Sequence, residues 1–241
     1  MRKALSIATT GFRQMLVDPM YIMFMLAMPI VMTWAMSFLP DVDGVYEMAS
    51  LGVLVMFVAL NLITSAGAII DERRSGTWQR ILQSPTSYTT IMAGHFIKLF
   101  TVAWLQAFLL LASGKFLFGA PWDNGYGALA VVMTVYIFSM TGLGLFLASI
   151  LKTSAQVQAV ATGMVMVGTM LGDVFFPMEN PSFLIGLISK LSPQGWAANS
   201  LKDILTANAG LSAQATPIAV MLLLGVGLFG LGALRISRME G

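Results

Sequence analysis

Long apolar runs alternate with short polar stretches along this chain. Six runs are apolar throughout and lack the in-out alternation of a membrane barrel strand. They cover about Met20–Phe38, Ala49–Ile70, Phe96–Phe118, Tyr126–Leu151, Gln156–Phe176 and Pro217–Leu234. Because a bilayer core about 30 Å thick needs about 20 apolar helical residues, each run predicts one transmembrane helix.

Composition points to the same class of protein. The 241 residues are 57% hydrophobic and 10% charged, with a mean hydropathy of +0.82, whereas a soluble domain is about 25% charged. We therefore expect an all-α membrane protein in which residues 1–241 form a single transmembrane domain. The net charge of +2 is too small to indicate a nucleic-acid partner. Since the sequence has no cysteine, it offers no disulfide, thiolate nucleophile or cysteine metal ligand.

The distribution of basic residues predicts how the chain is oriented. One set of segments carries ten of them: Arg2, Lys3, Arg13, Arg73, Arg74, Arg80, Lys98, Lys152, Arg235 and Arg238. The alternate segments carry three: Lys115, Lys190 and Lys202. Lys and Arg in short loops are retained on the cytoplasmic side. The sequence thus predicts a multi-pass protein of the cell membrane with both termini in the cytoplasm.

The residues before the first run predict an amphipathic helix at the membrane surface. At 100° per residue one arc is apolar, with Ile7 as the exception outside it; the arc contains Ala4, Leu5, Ala8, Phe12, Met15 and Leu16. The opposite arc carries Arg and Lys, which suit the phosphates of the inner leaflet. The segment lacks the uninterrupted apolar core of a signal peptide. The alternative is a solvated N-terminal tail.

One polar stretch, "DERRSGTWQRILQSP" from Asp71 to Pro85, concentrates charge between the second and third runs. Gly76 suits a backbone conformation with positive φ. Thr77 to Gln83 predicts a short helix with Trp78, Ile81 and Leu82 on one face. Pro85 ends this helix. The pattern indicates an amphipathic helix at the cytoplasmic membrane edge; the alternative is that the basic residues only set the topology.

The motif resembles a known family. Glu72-Arg73, Gly76-Thr77, Leu82 and Pro85 are similar to the E-R-x-x-G-T-x-x-x-x-L-x-x-P signature of ABC-2-type transporter permeases. "FRQMLVDPMYIMFMLAMPI" resembles the start of that family's first span. The segment after the fifth run, with Pro193, Trp196 and Leu201, resembles its external re-entrant segment. Arg74 and Gln79 depart from the family, which often has acidic residues there, so this helix is more basic.

The resemblance implies a fold and a set of partners. In the family the charged stretch forms a coupling helix that contacts a separate ATPase subunit, which binds ATP and Mg²⁺. Two permease chains, identical or related, pair within the membrane lipids. Carried over, the coupling residues are Glu72, Arg73, Gly76, Thr77, Trp78, Arg80, Leu82 and Pro85.

The external segment between the fifth and sixth runs contains "SFLIGLISKL", which is too short to span a bilayer. We expect a re-entrant or interfacial helical segment here, with Trp196 at the depth of the lipid headgroups. One interpretation is an outer gate that includes Pro193 and Trp196. The other is a surface helix that closes the bundle.

Several polar residues interrupt the apolar runs and are candidates for a substrate pathway: Asn61, Thr64, Gln106, Gln158 and Asp173. The alternative is that they form hydrogen bonds with neighbouring helices, typically for under about 1 kcal/mol each. The pairs Gly144–Ala148 and Gly168–Gly172 predict close helix packing, within one chain or between two.

Catalytic and nucleotide motifs are absent from the sequence. His95 is the single histidine, which excludes H-E-x-x-H, and we interpret it as an ordinary residue at the membrane surface. No G-x-x-x-x-G-K-[ST] motif occurs, so no P-loop or cofactor site is expected in this chain. The resemblance predicts a non-catalytic permease subunit that exports drug-like, lipid-like or other amphipathic molecules. The alternatives are an ion-coupled secondary transporter or channel, which needs charges within the spans, and a non-transporting membrane scaffold.

Overall fold

The computed structural model describes residues 2–38, 45–76, 88–119, 122, 125–172, 174–175, 183, 186, 189–190 and 192–238. The regular structure of these residues is helical, as predicted. The helices are α1 (Arg2–Val17), α2 (Pro19–Ile22), α3 (Met28–Met36), α4 (Val45–Ser65), α5 (Gly67–Arg74), α6 (Tyr88–Phe118), α7 (Tyr126–Ile150), α8 (Ser154–Leu171), α9 (Pro193–Thr206) and α10 (Ala215–Arg238). A π-helical stretch, Met23–Ala27, joins α2 to α3, and a 3₁₀ turn, Leu211–Gln214, precedes α10.

Six helical stretches in the described residues are long and apolar enough to cross a membrane. They are Pro19–Met36, Met48–Arg74, Ala93–Phe118, Tyr126–Ile150, Ser154–Leu171 and Leu211–Arg235. The predicted number of spans is confirmed, and the chain is a multi-pass membrane protein. The fifth span, α8, ends at Leu171, earlier than the apolar run suggests. The chain turns there, and the Val174 N–H donates to the Thr169 carbonyl at 3.3 Å.

Helix α7 forms the centre of the bundle. Its fully buried residues include Met133, Tyr136, Ile137 and Met140, and it packs against α4, α6, α9 and α10. The Tyr136 hydroxyl donates a hydrogen bond of 2.8 Å to the Val55 carbonyl of α4. A buried hydroxyl without such a partner would be costly in an apolar interior, so this bond specifies how the two helices are aligned.

The N-terminal helix α1 packs along α6, the third span. Ala8 is buried, and Gly11 faces the Lys98 side chain so closely that a Cβ there would lie 2.5 Å from Lys98 Cδ. Ile7, the exception to the predicted arc, packs against a small cluster that includes Ile69 and Ile91. Tertiary contact thus explains the exception. The position of α1 on the inner leaflet stays a prediction.

Two polar contacts tie the helices together at their ends. At the end of α6, Lys115 Nζ donates to the Tyr126 hydroxyl at 2.6 Å, and that hydroxyl donates to the Trp122 carbonyl at 2.6 Å. Near the other end of α6, His95 lies 3.0 Å from Glu72 of α5. The second and third spans are therefore joined at the start of the charged stretch.

Candidate functional site

A hydrogen-bonded network links the first three spans. The Tyr21 hydroxyl donates to Asn61 Oδ1 at 2.7 Å, and Asn61 Nδ2 donates to Gln106 Oε1 at 2.7 Å. Gln106 Nε2 donates to the Met25 carbonyl at 2.8 Å, and the Ser65 hydroxyl donates to Asn61 Oδ1 at 3.1 Å. Gln106 is completely buried. Of the two interpretations open for Asn61 and Gln106, interhelical bonding is therefore observed.

A cavity of about 470 Å³ lies beside this network, between the first, second and fifth spans. Met20 and Phe24 in its wall are 60% and 54% exposed, so the cavity lies at the surface of the single chain. Its lining is Asp18, Met20, Tyr21, Phe24, Met25, Phe57, Leu60, Asn61, Thr64, Gln158 and Thr162. Apolar walls with a few amide and hydroxyl groups are typical of sites for amphipathic molecules.

Asp18 is the charged residue among those that line the cavity. Its carboxylate caps the short helix α2 by accepting from Met20 N–H at 3.0 Å and Tyr21 N–H at 3.3 Å. Pro19 follows at the first helical position, where its missing N–H and fixed φ are favourable. The chain thus breaks its helix at Asp18-Pro19, and this break places the Asp18 carboxylate at the cavity wall.

The structure brings together three of the predicted pathway residues. Asn61, Thr64 and Gln158 line the cavity, and the Thr64 hydroxyl donates to the Leu60 carbonyl at 2.6 Å. Gln106 lies outside the lining and contacts it through Asn61. Asp173 lies outside the described residues.

The charged stretch is described only at its start. Glu72 and Arg73 belong to the last turn of α5, and Gly76 has φ of +73°, the positive value expected for it. The remaining predicted coupling residues lie outside the described residues: Thr77, Trp78, Arg80, Leu82 and Pro85. The second span therefore continues as helix to the beginning of the motif.

Two buried basic residues that contact or lie near Glu72 were missed in the sequence. His95 Nε2 lies 3.0 Å from Glu72 Oε2, and His95 is only 2% exposed, so its interpretation as an ordinary surface residue was wrong. Lys98, 5% exposed, acts electrostatically on Glu72. The spacing of His95 and Lys98, three residues apart on one helix, is the signal that places both on one face. Together they tie the motif to the third span.

Comparison with known proteins identifies the family. The family model described as ABC-2 family transporter protein matches residues 42–234. The chain belongs to the ABC-2 transporter family. ABC-2 permeases work with an ABC ATPase subunit.

Three curated relatives of the chain are named as permeases. The linearmycin resistance permease protein LnrN of Bacillus subtilis is 30% identical over 154 residues, 64% of this chain and 40% of LnrN. The probable multidrug ABC transporter permease YbhR of Escherichia coli is 24% identical over 166 residues, 69% of this chain and 45% of YbhR. The inner membrane transport permease YhhJ of Escherichia coli is 20% identical over 207 residues, which are 86% of this chain and 55% of YhhJ. The chain thus spans about half the length of these relatives.

The segment between the fifth and sixth spans of this ABC-2 chain contains helix α9 among its described residues. Pro193 occupies its first turn, and the Ser192 hydroxyl caps it by accepting from Gly195 N–H at 3.3 Å. Trp196 Nε1 donates to the Lys190 carbonyl at 2.8 Å. These bonds explain the local geometry of Pro193 and Trp196. Their predicted role in an outer gate, and the re-entrant course of the segment, stay predictions.

Proposed function

We propose that this chain is the permease subunit of an ABC transporter that exports an amphipathic substrate, with ATP hydrolysed by a separate subunit. The cavity of about 470 Å³ between three spans is the observation that carries the proposal. The relatives support it, since one is named for linearmycin resistance and another for multidrug transport. The alternatives of an ion-coupled transporter and a scaffold have no comparable support among these relatives.

In this proposal the cavity receives the substrate from the inner leaflet. Its apolar portion rests against Phe24, Phe57 and Leu60, and its polar portion reaches Asn61, Thr64 and Gln158. Because Asp18 lines the cavity and no Lys or Arg of the described residues does, cationic and neutral amphiphiles fit better than anionic ones. In this proposal Asn61, Thr64 and Gln158 contribute to substrate recognition.

The coupling segment is proposed to begin at Glu72 and to dock on the ATPase subunit, which binds ATP and Mg²⁺. A nucleotide state shifts a permease between conformations only if the ATPase contacts those conformations differently. In this proposal Glu72 connects the coupling segment to the third span through its contact with His95, so that a movement of the segment also moves that span. A second permease chain, identical or related, completes the transporter. The proposal includes one domain over residues 1–241 and both termini in the cytoplasm.

The experiment is a capture of the tagged full chain from native membranes in mild detergent. It compares Gly76→Val with Gly119→Val, because both glycines have positive φ, +73° and +69°, and Gly119 ends the third span at its other end. We expect a protein with a G-x-x-x-x-G-K-[ST] motif to accompany the unmodified chain and Gly119→Val. Gly76→Val should lose that protein, since a β-branched residue is strained at positive φ.

Circular dichroism of both variants checks that the helices persist. Equal capture of the ATPase by both variants would remove Gly76 from the coupling segment. Absence of any ATPase, under conditions that preserve a known ABC complex in a parallel sample, would contradict the proposed function itself.

A further inference from the structure

The first span contains a carbonyl that its own helix cannot pair in the α-helical way. In an α-helix the N–H of a residue donates to the carbonyl four residues earlier. For the Met25 carbonyl that donor would be Pro29, which has no N–H. Met25 is buried. Because an unpaired carbonyl is expensive inside a bilayer, the Met25 carbonyl requires a donor from elsewhere.

Gln106 of the third span supplies this donor. Its Nε2 lies 2.8 Å from the Met25 carbonyl oxygen, and its Oε1 accepts from Asn61 Nδ2 at 2.7 Å. The orientation of the Gln106 amide follows from chemistry, since a flipped amide would set two nitrogen donors against each other at Asn61. The glutamine is therefore held by two different spans.

The missing bond coincides with a change of helix type. Residues Met23–Ala27 are π-helical, and Met28 N–H donates to the Met23 carbonyl five residues earlier. A single π turn inserts one extra residue, which rotates the preceding residues by about 100° relative to a regular α-helix. The residues before and within this turn include Tyr21 and Phe24, which form the first-span wall of the cavity. The π turn thus decides which side chains face the cavity.

We propose that Gln106 replaces the peptide donor that Pro29 lacks, and that the two residues hold the first span in the π-helical register that shapes the cavity. Gln106 is then a positioning residue that acts through Met25, with its own side chain outside the cavity lining. The hydrogen-bond replacement stands on the geometry alone, whereas its consequence for transport rests on the proposed function.

A double-mutant cycle tests the replacement in the purified full chain. With Pro29 present, Gln106→Leu should lower Tm by about 4–8 °C, because the buried hydrogen bonds to Met25 and Asn61 are both lost and each produces a shift of about 2–4 °C in a chain of this size. In the Pro29→Ala background the loss should be smaller, because the introduced alanine has an N–H that can donate to the Met25 carbonyl. The lost bond to Asn61 occurs in both backgrounds and cancels in the cycle.

Gln194→Leu provides the matched control, since Gln194 is also a buried glutamine but belongs to α9. Its effect on Tm should be the same in the unmodified chain and in the Pro29→Ala background. An equal loss for Gln106→Leu in both backgrounds would overturn the proposed replacement.

The register itself can be read with single cysteines, because the chain has none of its own. Phe24→Cys lines the cavity and should react with a water-soluble maleimide in inside-out vesicles, whereas Ile22→Cys, outside the lining, should be protected. If Pro29→Ala restores a regular α-helix, Ile22 takes the place that Tyr21 has at the cavity wall, so Ile22→Cys should become labelled. An unchanged labelling pattern would overturn the link between Pro29 and the π turn.

The transport consequence is measured on the complex with its ATPase, with tetraphenylphosphonium as a cationic amphiphile. Gln106→Leu should raise KM with little change in kcat, since the altered wall weakens binding rather than coupling. If the Tm values show coupling between Gln106 and Pro29 but KM is unchanged, the role of Gln106 in shaping the cavity is overturned. Failure to find an ATPase would contradict the proposed function. The stability and labelling results would still show whether Gln106 replaces the peptide donor that Pro29 lacks.

Discussion

At the scale of single residues, several large polar side chains within the spans bind partners on other helices. Tyr136 bonds to Val55, and Gln106 bonds to both Asn61 and Met25. In the bilayer such bonds are favourable because no water can replace the lost partner. Glu72 and His95 follow the same rule at one end of the bundle. These polar residues therefore contribute to the alignment of the helices, whether or not they also contact a substrate.

The contact between Glu72 and His95 predicts that the adjacent acids Glu72 and Asp71 contribute differently to stability. Glu72→Ala leaves the buried basic residues His95 and Lys98 without the carboxylate, and should destabilise the chain by about 1–3 kcal/mol. The value lies below that of a fully buried pair because the Glu72 side chain is 31% exposed. Asp71→Ala is the control, since Asp71 is exposed. Urea unfolding of the purified chain, followed by circular dichroism, should separate the two variants; equal stabilities would contradict a stabilising contact between Glu72 and His95.

At the scale of helices, close contact between α7 and α10 depends on two small residues. A Cβ on Gly142 would lie 2.8 Å from the Gly225 carbonyl oxygen, and a Cβ on Gly225 would lie 2.9 Å from the Ser139 Cα. Small residues allow membrane helices to approach closely and gain van der Waals contact. The Gly144–Ala148 pair acts in the same way, because Gly144 packs against Leu62 and Ala66 within one chain.

Two neighbouring glycines of α10 should respond in opposite directions to the same substitution. Gly225→Ala places a methyl group against backbone and should cost about 1–3 kcal/mol through overpacking. Gly227→Ala meets no atom within 4 Å and should stabilise the helix by about 0.5–1 kcal/mol. Thermal unfolding in one detergent measures both. If Gly225→Ala is at least as stable as the unmodified chain, the close α7–α10 contact is wrong.

At the scale of the whole molecule, six spans alternate direction between two ends of the bundle. The Glu72–His95 contact marks one end, and the Lys115–Tyr126 bond marks the other. The loop after α7 with Lys152 lies at the first end, since α5 packs against the start of α8. The excess of Lys and Arg at this end predicts that it faces the cytoplasm.

Single cysteines in the otherwise cysteine-free chain test this orientation. Ala207→Cys, exposed after α9, should react with an impermeant maleimide added to intact cells. Lys152→Cys, also exposed, should react only after the membrane is permeabilised. The expectation follows from the retention of basic loops in the cytoplasm. The reverse labelling pattern would place both termini outside.

The candidate site was predictable in part. Asn61, Thr64 and Gln158 stand out as polar residues in apolar runs, and the structure gathers them at one cavity. The burial of His95 was missed because a lone histidine next to a span carries no local signal of its partner on another helix. Its partner Glu72 lies on another helix, so the pairing depends on how two spans pack. The same holds for Ile7, whose contacts are made by distant helices.

The sequence by itself determined the helical class, the number of spans and the resemblance to ABC-2 permeases. Those properties depend on local hydrophobicity and on short motifs, because a helix in lipid pairs its backbone internally. Only the tertiary structure decided the cavity, the π turn before Pro29 and the partners of Gln106. The decisive hydrogen bonds join residues 40, 45 and 81 positions apart, and such partners are selected by the packing of helices rather than by any pattern along the chain.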